Sequence, residues 1–532
     1  MAKQQGYKTE VLADFQGGLN FRTDQFNLAA NESPDLLNVS VDPRGGIKLR
    51  NGVTAINGSA ESHNINGLAS FFTDAGTSHI IANTGASSSN IKYSTGGNFS
   101  TLSGPTARTA TSRMYGMTMN NKFYGVSGDL VSFKWDGSSG ADLGVTLDGT
   151  AGNFPIGQYV TFWNNLAWVG KTREGGTYYN SRVRWSNIND PEKWANLDYV
   201  DIGVGEGGDG ITGFAPLADR LLIFKANSVH AMYGFGSDSF QVTTLTTSIG
   251  STPLSSPVVT PFGVYFWHDR RGVYLYNGES FQSVFTKLEP AIDNGRISFT
   301  NPPQLAWFEN RLYLSLDMLE YYKAGTQATV RHVFVLDPSI NAWTLTNVDA
   351  DTLHTHKPPD GQHLLLGACN ASSGTQKGRV VKFEQGNPTD AYDGSTAARI
   401  DSHFTTPWVA GKNPVERKRW GRPQIVLDAA SSLSMQLDVY QDYDKASTNR
   451  IVNIDVAGRE STNTWEASSS GTGSLWDSAI WASEAAASIT DIIRAPSLGN
   501  AKSIALKFNG PSQSVDWEVN GIMFTYKPRR LR

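Results

Sequence analysis

The chain of 532 residues carries 49 acidic and 45 basic side chains, and the resulting formal charge of −4 excludes a dedicated nucleic-acid binder with a strongly basic face. Only 18% of residues are charged while Gly reaches 53 and Trp 14, a composition of strands, turns and aromatic packing that excludes a helical bundle. A single cysteine, Cys369, excludes an intrachain disulfide and a thiolate zinc cluster, and its simplest place is inside a strand core. The length suits two or three domains. The start, Met1 to Gly6, lacks the apolar core of a signal peptide, and no run approaches the roughly 20 apolar residues that span a bilayer. A protein made and assembled in the cytoplasm, without a membrane anchor, is therefore expected.

Residues 1–60 form an extended arm, rich in Gly, Asn and Pro and weak in periodicity. It contains Asp14-Phe15-Gln16-Gly17-Gly18-Leu19-Asn20, then Glu32-Ser33-Pro34-Asp35-Leu36-Leu37-Asn38-Val39, then Asp42-Pro43-Arg44-Gly45-Gly46-Ile47-Lys48-Leu49-Arg50-Asn51-Gly52. The Pro43 to Gly46 element reads as a turn between two short strands, because paired glycines supply a positive φ. Such an arm closes no core of its own. Its strand edges demand another surface, either its own propeller or a neighbouring subunit. Arg44, Lys48 and Arg50, read as an exposed basic turn, are the candidate subunit or partner contacts. A chain lacking residues 1–55 is then expected to fold yet to assemble poorly.

Residues 61–397 read as a β-propeller of six or seven blades. The clearest unit is Leu305 to Leu316, where two apolar runs flank Glu309-Asn310 and Asn310 can adopt the left-handed backbone of a tight hairpin turn. Variants recur around Gly76, Asn121, Asn165, Asp219, Gly263 and Gly361, and the seven markers are separated by 45, 44, 54, 44, 47 and 51 residues. A period near 40 to 50 residues with about four short strands per unit is the signature of propeller blades. Alternating strands that close on turns follow the markers, at Ser132–Gly137, Val229–Gly234, Val273–Gly278, Val333–Asp337 and Val380–Phe383. The stretch from Val169 to Ile211 exceeds the period by about ten residues and is expected to emerge as loops on one face. Within it, the glycines of Asp201–Gly213 lack the strand-and-helix frame of a phosphate loop and read as a connecting loop.

Residues 398–532 read as a β-sandwich of jelly-roll type. Strands are expected at Gln424–Leu427, Leu433–Tyr440, Ser503–Phe508 and Val515–Tyr526, with Val515, Trp517 and Val519 on one buried face. A basic loop, Lys412 to Arg422, and a basic tail, Lys527 to Arg532, flank this region. Asp444 to Gly499 is rich in Ser, Thr and Ala and reads as long loops with short strands.

Chemistry finds little purchase. His354-Thr355-His356 places two imidazoles on one face of a strand, but no third ligand stands at a defined spacing, so a polar strand is the better reading. Asp442-Tyr443-Asp444 lacks the Gly and Glu of a calcium loop. No Gly-x-Ser-x-Gly elbow occurs. Asp219-Arg220, Asp269-Arg270-Arg271 and Glu309-Asn310-Arg311 could serve a propeller glycosidase, yet each equally fits a charged turn. No catalytic residue, metal site or cofactor is expected.

The order within the arm, Gly17-Gly18-Leu19-Asn20, then Pro34-Asp35-Leu36-Leu37-Asn38, then the basic Gly45-Gly46 to Gly52 ending, resembles the opening of the tail nozzle (tubular tail protein B) and head-to-tail stabilisation or tail hub proteins of short-tailed bacteriophages. Those families continue into a propeller and end in a strand-rich domain, as this chain does over nearly its full length. The resemblance implies a virion structural protein, with six copies closing a ring below the portal and adaptor. That ring would pass DNA without sequence-specific binding and offer docking faces to fibre or spike proteins. A propeller glycosidase or lectin acting on bacterial surface polysaccharide is the alternative from a different class.

Overall fold

The computed structural model describes residues 6–86, 90–203, 209–236, 239–321, 327–359, 361–370, 376–444, 448–456 and 489–529. Among them, seven antiparallel sheets follow one another along the chain. Six are built from residues 65–101, 115–142, 156–201, 211–246, 258–283 and 297–346. The seventh combines residues 352–382 with Thr54–Ala55. The innermost strands are Ile65–Phe72, Tyr115–Met119, Ile156–Trp163, Ile211–Pro216, Val258–Thr260, Gln304–Phe308 and Thr352–His356. Each touches the next and the last touches the first, which closes a ring of seven blades.

All seven sequence markers fall at the connection between the first and second strands of a blade. Asn120-Asn121, Asn164-Asn165 and Glu309-Asn310 all hold positive φ. Two consecutive left-handed residues give the turn whose twist matches a right-handed strand pair, and asparagine adopts that backbone at low cost. The repeat is therefore written in turn residues, and apolar alternation fills the space between blades. Trp135, Trp168, Trp267 and Trp343 are fully buried there. Cys369 is buried in the second strand of blade 7.

The long step after Asn165 is only partly a loop insertion, contrary to expectation. Leu166–Glu174 and Thr177–Trp185 are nine-residue strands joined at Gly175-Gly176, so part of the excess lengthens blade 3 itself. The remainder, Asn187 to Asp198, folds back onto blade 2. Trp194 is buried against Phe154 with ring centroids 4.9 Å apart, and Glu192 pairs with Lys134 at 2.7 Å. Of the Gly-rich stretch, 204–208 lie outside the described residues.

The arm lies within its own chain. Lys8–Leu12 pairs with Ile522–Tyr526, Leu36–Leu37 with His403–Phe404, and Ile47–Lys48 with Glu518–Val519. The arm thus supplies strands to both sheets of the C-terminal sandwich before its last strand, Thr54–Ala55, completes blade 7. The sandwich's own strands include Gln424–Ala429, Leu433–Gln441, Ile504–Asn509 and Trp517–Pro528. Trp517 and Val519 are buried as expected, whereas Val515 precedes the strand and is half-buried. Most of 444–499, including 457–488, lies outside the described residues, although Arg450–Val456 and Ile489–Arg494 are strands.

One continuous apolar core runs through all three parts. It joins Leu12, Leu36 and Ile47 of the arm, Trp267 and Trp343 of blades 5 and 6, and Phe404, Leu437 and Trp517 of the sandwich.

Candidate functional site

The basic turn of the arm sits on the sandwich, between the paired strands Val39–Val41 and Ile47–Leu49. Gly45 takes the positive φ the turn requires, 107°. Arg44 and Lys48 converge on Asp42, at 3.0 and 3.4 Å, with side chains 83% and 42% exposed. The Arg44 hydrogen bond holds the Asp42 carboxyl down at about 2. Surface pairs of this kind contribute little to stability, so both cations remain usable for outside contacts.

Arg50 does not belong to that surface. Its side chain is 5% exposed and grips Asp390 through two hydrogen bonds of 2.9 and 2.7 Å. Its Nε donates to Asn38 at 2.8 Å. The reading of Arg50 as an exposed contact is thus corrected: it is an internal clamp between the arm and the segment that leaves blade 7. No local signal distinguishes it from Arg44, because its partner is 340 residues away.

The second candidate is the cavity on the propeller axis, about 490 Å³ and lined by the innermost strands of blades 1, 2, 3, 5, 6 and 7. Leu68, Val160, Val258, Leu305 and Trp307 form apolar wall, and Arg113, Tyr115, Ser256, Gln304, Ser70 and His354 bring polar groups to it. The histidine pair is explained here. Ser70 Oγ lies 2.7 Å from His354 Nε2 and 2.6 Å from His356 Nδ1, and Ser78 Oγ lies 2.7 Å from His356 Nε2. The Ser70 hydroxyl has one proton to give and two lone pairs to receive, so it can bond both rings while both imidazoles are neutral. No cluster of three metal-ligating side chains occurs among the described residues.

Burial pushes both imidazoles down to about 4, and for His354 the neighbouring His356 adds to the effect. An unfolded histidine titrates near 6.5, so between about 6.5 and about 4 the unfolded chain binds the extra protons and stability falls as pH falls. The loss is on the order of 1–3 kcal/mol per ring. Asp349 opposes it, since burial raises its carboxyl from 3.8 to about 6 and favours the folded state as pH drops through that window. A His356→Gln variant is expected to flatten the decline in urea midpoint between pH 6.5 and 4, measured against wild type. A decline identical to wild type would remove this ring from the account.

The acid-bearing turns do not gather. Asp219 and Glu309 lie at first-to-second strand turns of blades 4 and 6, whereas Asp269 lies between the second and third strands of blade 5, at the opposite face of the disc. None of the three lines the axial cavity.

These features define a seven-bladed β-propeller whose last blade is closed by a strand from the arm, joined to a sandwich that the same arm completes. No family model and no curated protein sequence matches the chain. Solved structures similar to it include YCF48 from Cyanidioschyzon merolae, at 11% identity over 63% of this chain and 99% of that one, TM-score 0.38. Another is the β-propeller domain of Cps50 (Swd1) from Myceliophteria thermophila, at 9% identity over 61% and 98%, TM-score 0.37. A third is Sqt1 of Saccharomyces cerevisiae, at 10% identity over 66% and 99%, TM-score 0.36. At these identities nothing about partners or activity carries over.

Proposed function

We propose that this chain is a structural subunit of a short-tailed phage tail, of the nozzle or hub type, which closes with further copies into a ring below portal and adaptor. The reading rests on the arm's resemblance, and the supporting observation is the layout: arm, propeller and terminal strand-rich domain follow in the order that resemblance implies. In the virion the ring extends the channel through which DNA leaves, and its outer faces receive fibre or spike proteins. Open sheet edges suit such a role. Among the described residues the Lys8–Leu12 strand pairs on one side only and carries exposed Val11, and the outer strand of blade 4, Gln241–Thr246, is exposed along most of its length. In a closed cyclic assembly a neighbour covers edges of this kind.

The expected result of negative-stain microscopy and light scattering on the purified protein is a ring, six copies by the resemblance. Monodisperse monomers at all accessible concentrations, or cleavage of capsular polysaccharide by those monomers, would overturn the assignment in favour of a propeller enzyme or lectin.

A further inference from the structure

The five most deeply buried arginines outside this cavity all face a carboxylate. Arg50 holds Asp390, Arg108 holds Asp142, Arg182 and Arg184 share Glu174, and Arg331 holds Asp317. Arg113, part-buried in the cavity wall, departs from that pattern. Among the described residues it makes no ion pair, and its one hydrogen bond is a long one, 3.4 Å to the Leu254 carbonyl. That carbonyl already accepts from Gln304 Nε2 at 2.7 Å. Asp351, the acid whose charge reaches Arg113, is itself engaged by Arg331 at 3.3 Å. A half-buried guanidinium whose other donors have no protein partner among the described residues is set to receive an anion, and desolvation lowers the Arg113 pKa.

The surroundings of Arg113 look built rather than incidental. It stands two residues before the innermost strand of blade 2, as Ser256 does in blade 5, and Gln304 opens that of blade 6, so all three stand at the same end of the axis. The Tyr115 hydroxyl is buried and makes no hydrogen bond of good geometry, although Arg113 and the Ser256 hydroxyl lie close enough to temper the rise that burial imposes on its pKa. Leu254 holds a left-handed backbone, φ 63°, fixed by its N–H donating to the Tyr159 hydroxyl at 3.1 Å. Backbone of that kind in a non-glycine residue costs on the order of 1 kcal/mol and clusters at ligand sites.

We propose that the axial cavity binds a small organic anion, its carboxylate or phosphate head paired with Arg113 and accepting hydrogen bonds from Tyr115 and Ser256, its apolar body against Leu68, Val160, Val258 and Trp307. An oxyanion satisfies a guanidinium through two parallel hydrogen bonds, which a neutral ligand does not. The cavity is far larger than a bare phosphate ion, which is why the ligand needs an apolar body.

The test is calorimetric titration of the full chain with hexanoate, hexyl phosphate and hexanol at constant ionic strength. Saturable binding of one anion per chain is expected for at least one of the first two, and their ratio tells a carboxylate site from a phosphoryl site. Arg113→Gln is expected to weaken it at least about 10-fold, the loss of one charged hydrogen-bonding partner. Tyr115→Phe, which keeps the ring, should weaken it by a smaller factor and serves if the first variant fails to fold. Absence of saturable binding by both anions, equal binding of hexanol, or full affinity in Arg113→Gln would overturn the proposal.

Discussion

A chain lacking residues 1–55 is expected not to reach the native fold. Truncation removes the strands Lys8–Leu12, Leu36–Leu37, Val39–Val41 and Ile47–Leu49 from the sandwich and Thr54–Ala55 from blade 7. It uncovers the core positions of Leu12, Phe15, Leu19, Leu36, Val39, Ile47, Leu49 and Val53, all nearly or fully buried. Each such side chain contributes about 1.5–3 kcal/mol through burial, so the set matches or exceeds the roughly 5–15 kcal/mol by which a domain is stable. The truncated propeller also loses the strand that joins its two ends, and loop closure no longer holds the disc shut. Insoluble expression is the expected outcome, or a soluble species with strand-type far-ultraviolet dichroism, no cooperative transition and strong dye binding. A soluble truncation that melts cooperatively near the wild-type temperature would show the arm to be an accessory, and the original expectation of folding without assembly would stand again.

Arg50→Met is expected to cost about 3–5 kcal/mol, the usual penalty for removing one partner of a buried ion pair. The cost arises on Asp390, which is 5% exposed and is left with the Val53 amide at 3.0 Å and the Tyr392 hydroxyl at 3.3 Å as its remaining donors. Replacing Asp390 together with Arg50 by apolar residues should return part of the loss, because no charge is then stranded. Arg44→Met, six residues away in sequence, should leave the denaturation midpoint where it is, since that side chain is solvated. Guanidinium or urea titration of the three variants decides the matter. An unchanged midpoint in Arg50→Met would mean that the clamp between arm and blade 7 is dispensable. High salt should discriminate as well: it screens the Arg44–Asp42 pair and leaves the buried one nearly untouched.

The repeat was legible in the chain because a propeller blade is built almost entirely from local contacts. The strands around Asn121, Asn165 and Asn310 are joined by turns of two residues with positive φ, and few residue types accept that backbone, so the turn announces itself in sequence. Gly76 and Gly263 share that left-handed backbone, whereas Asp219 and Gly361 mark their first hairpins as ordinary turn residues without it. The sandwich strands near Gln424, Leu433, Ser503 and Trp517 were likewise visible through alternation of period two. Blade 3 misled because Lys171 to Tyr179, polar and glycine-containing, continues as a long hairpin, and polarity on an edge looks the same as polarity in a loop.

What sequence alone determined, then, is the class of fold, the period and the places of the turns, all fixed by interactions spanning a few residues. Tertiary structure alone decided the fate of the arm, the internal role of Arg50 and the assembly of the axial cavity. Those depend on pairings such as Lys8 with Tyr526, Thr54 with Lys382, Arg50 with Asp390 and Ser70 with His354, which join distant parts of the chain. A strand edge or a lone arginine carries no mark of its distant partner, because backbone hydrogen bonds and charge pairs are available to any complementary group that packing brings within reach.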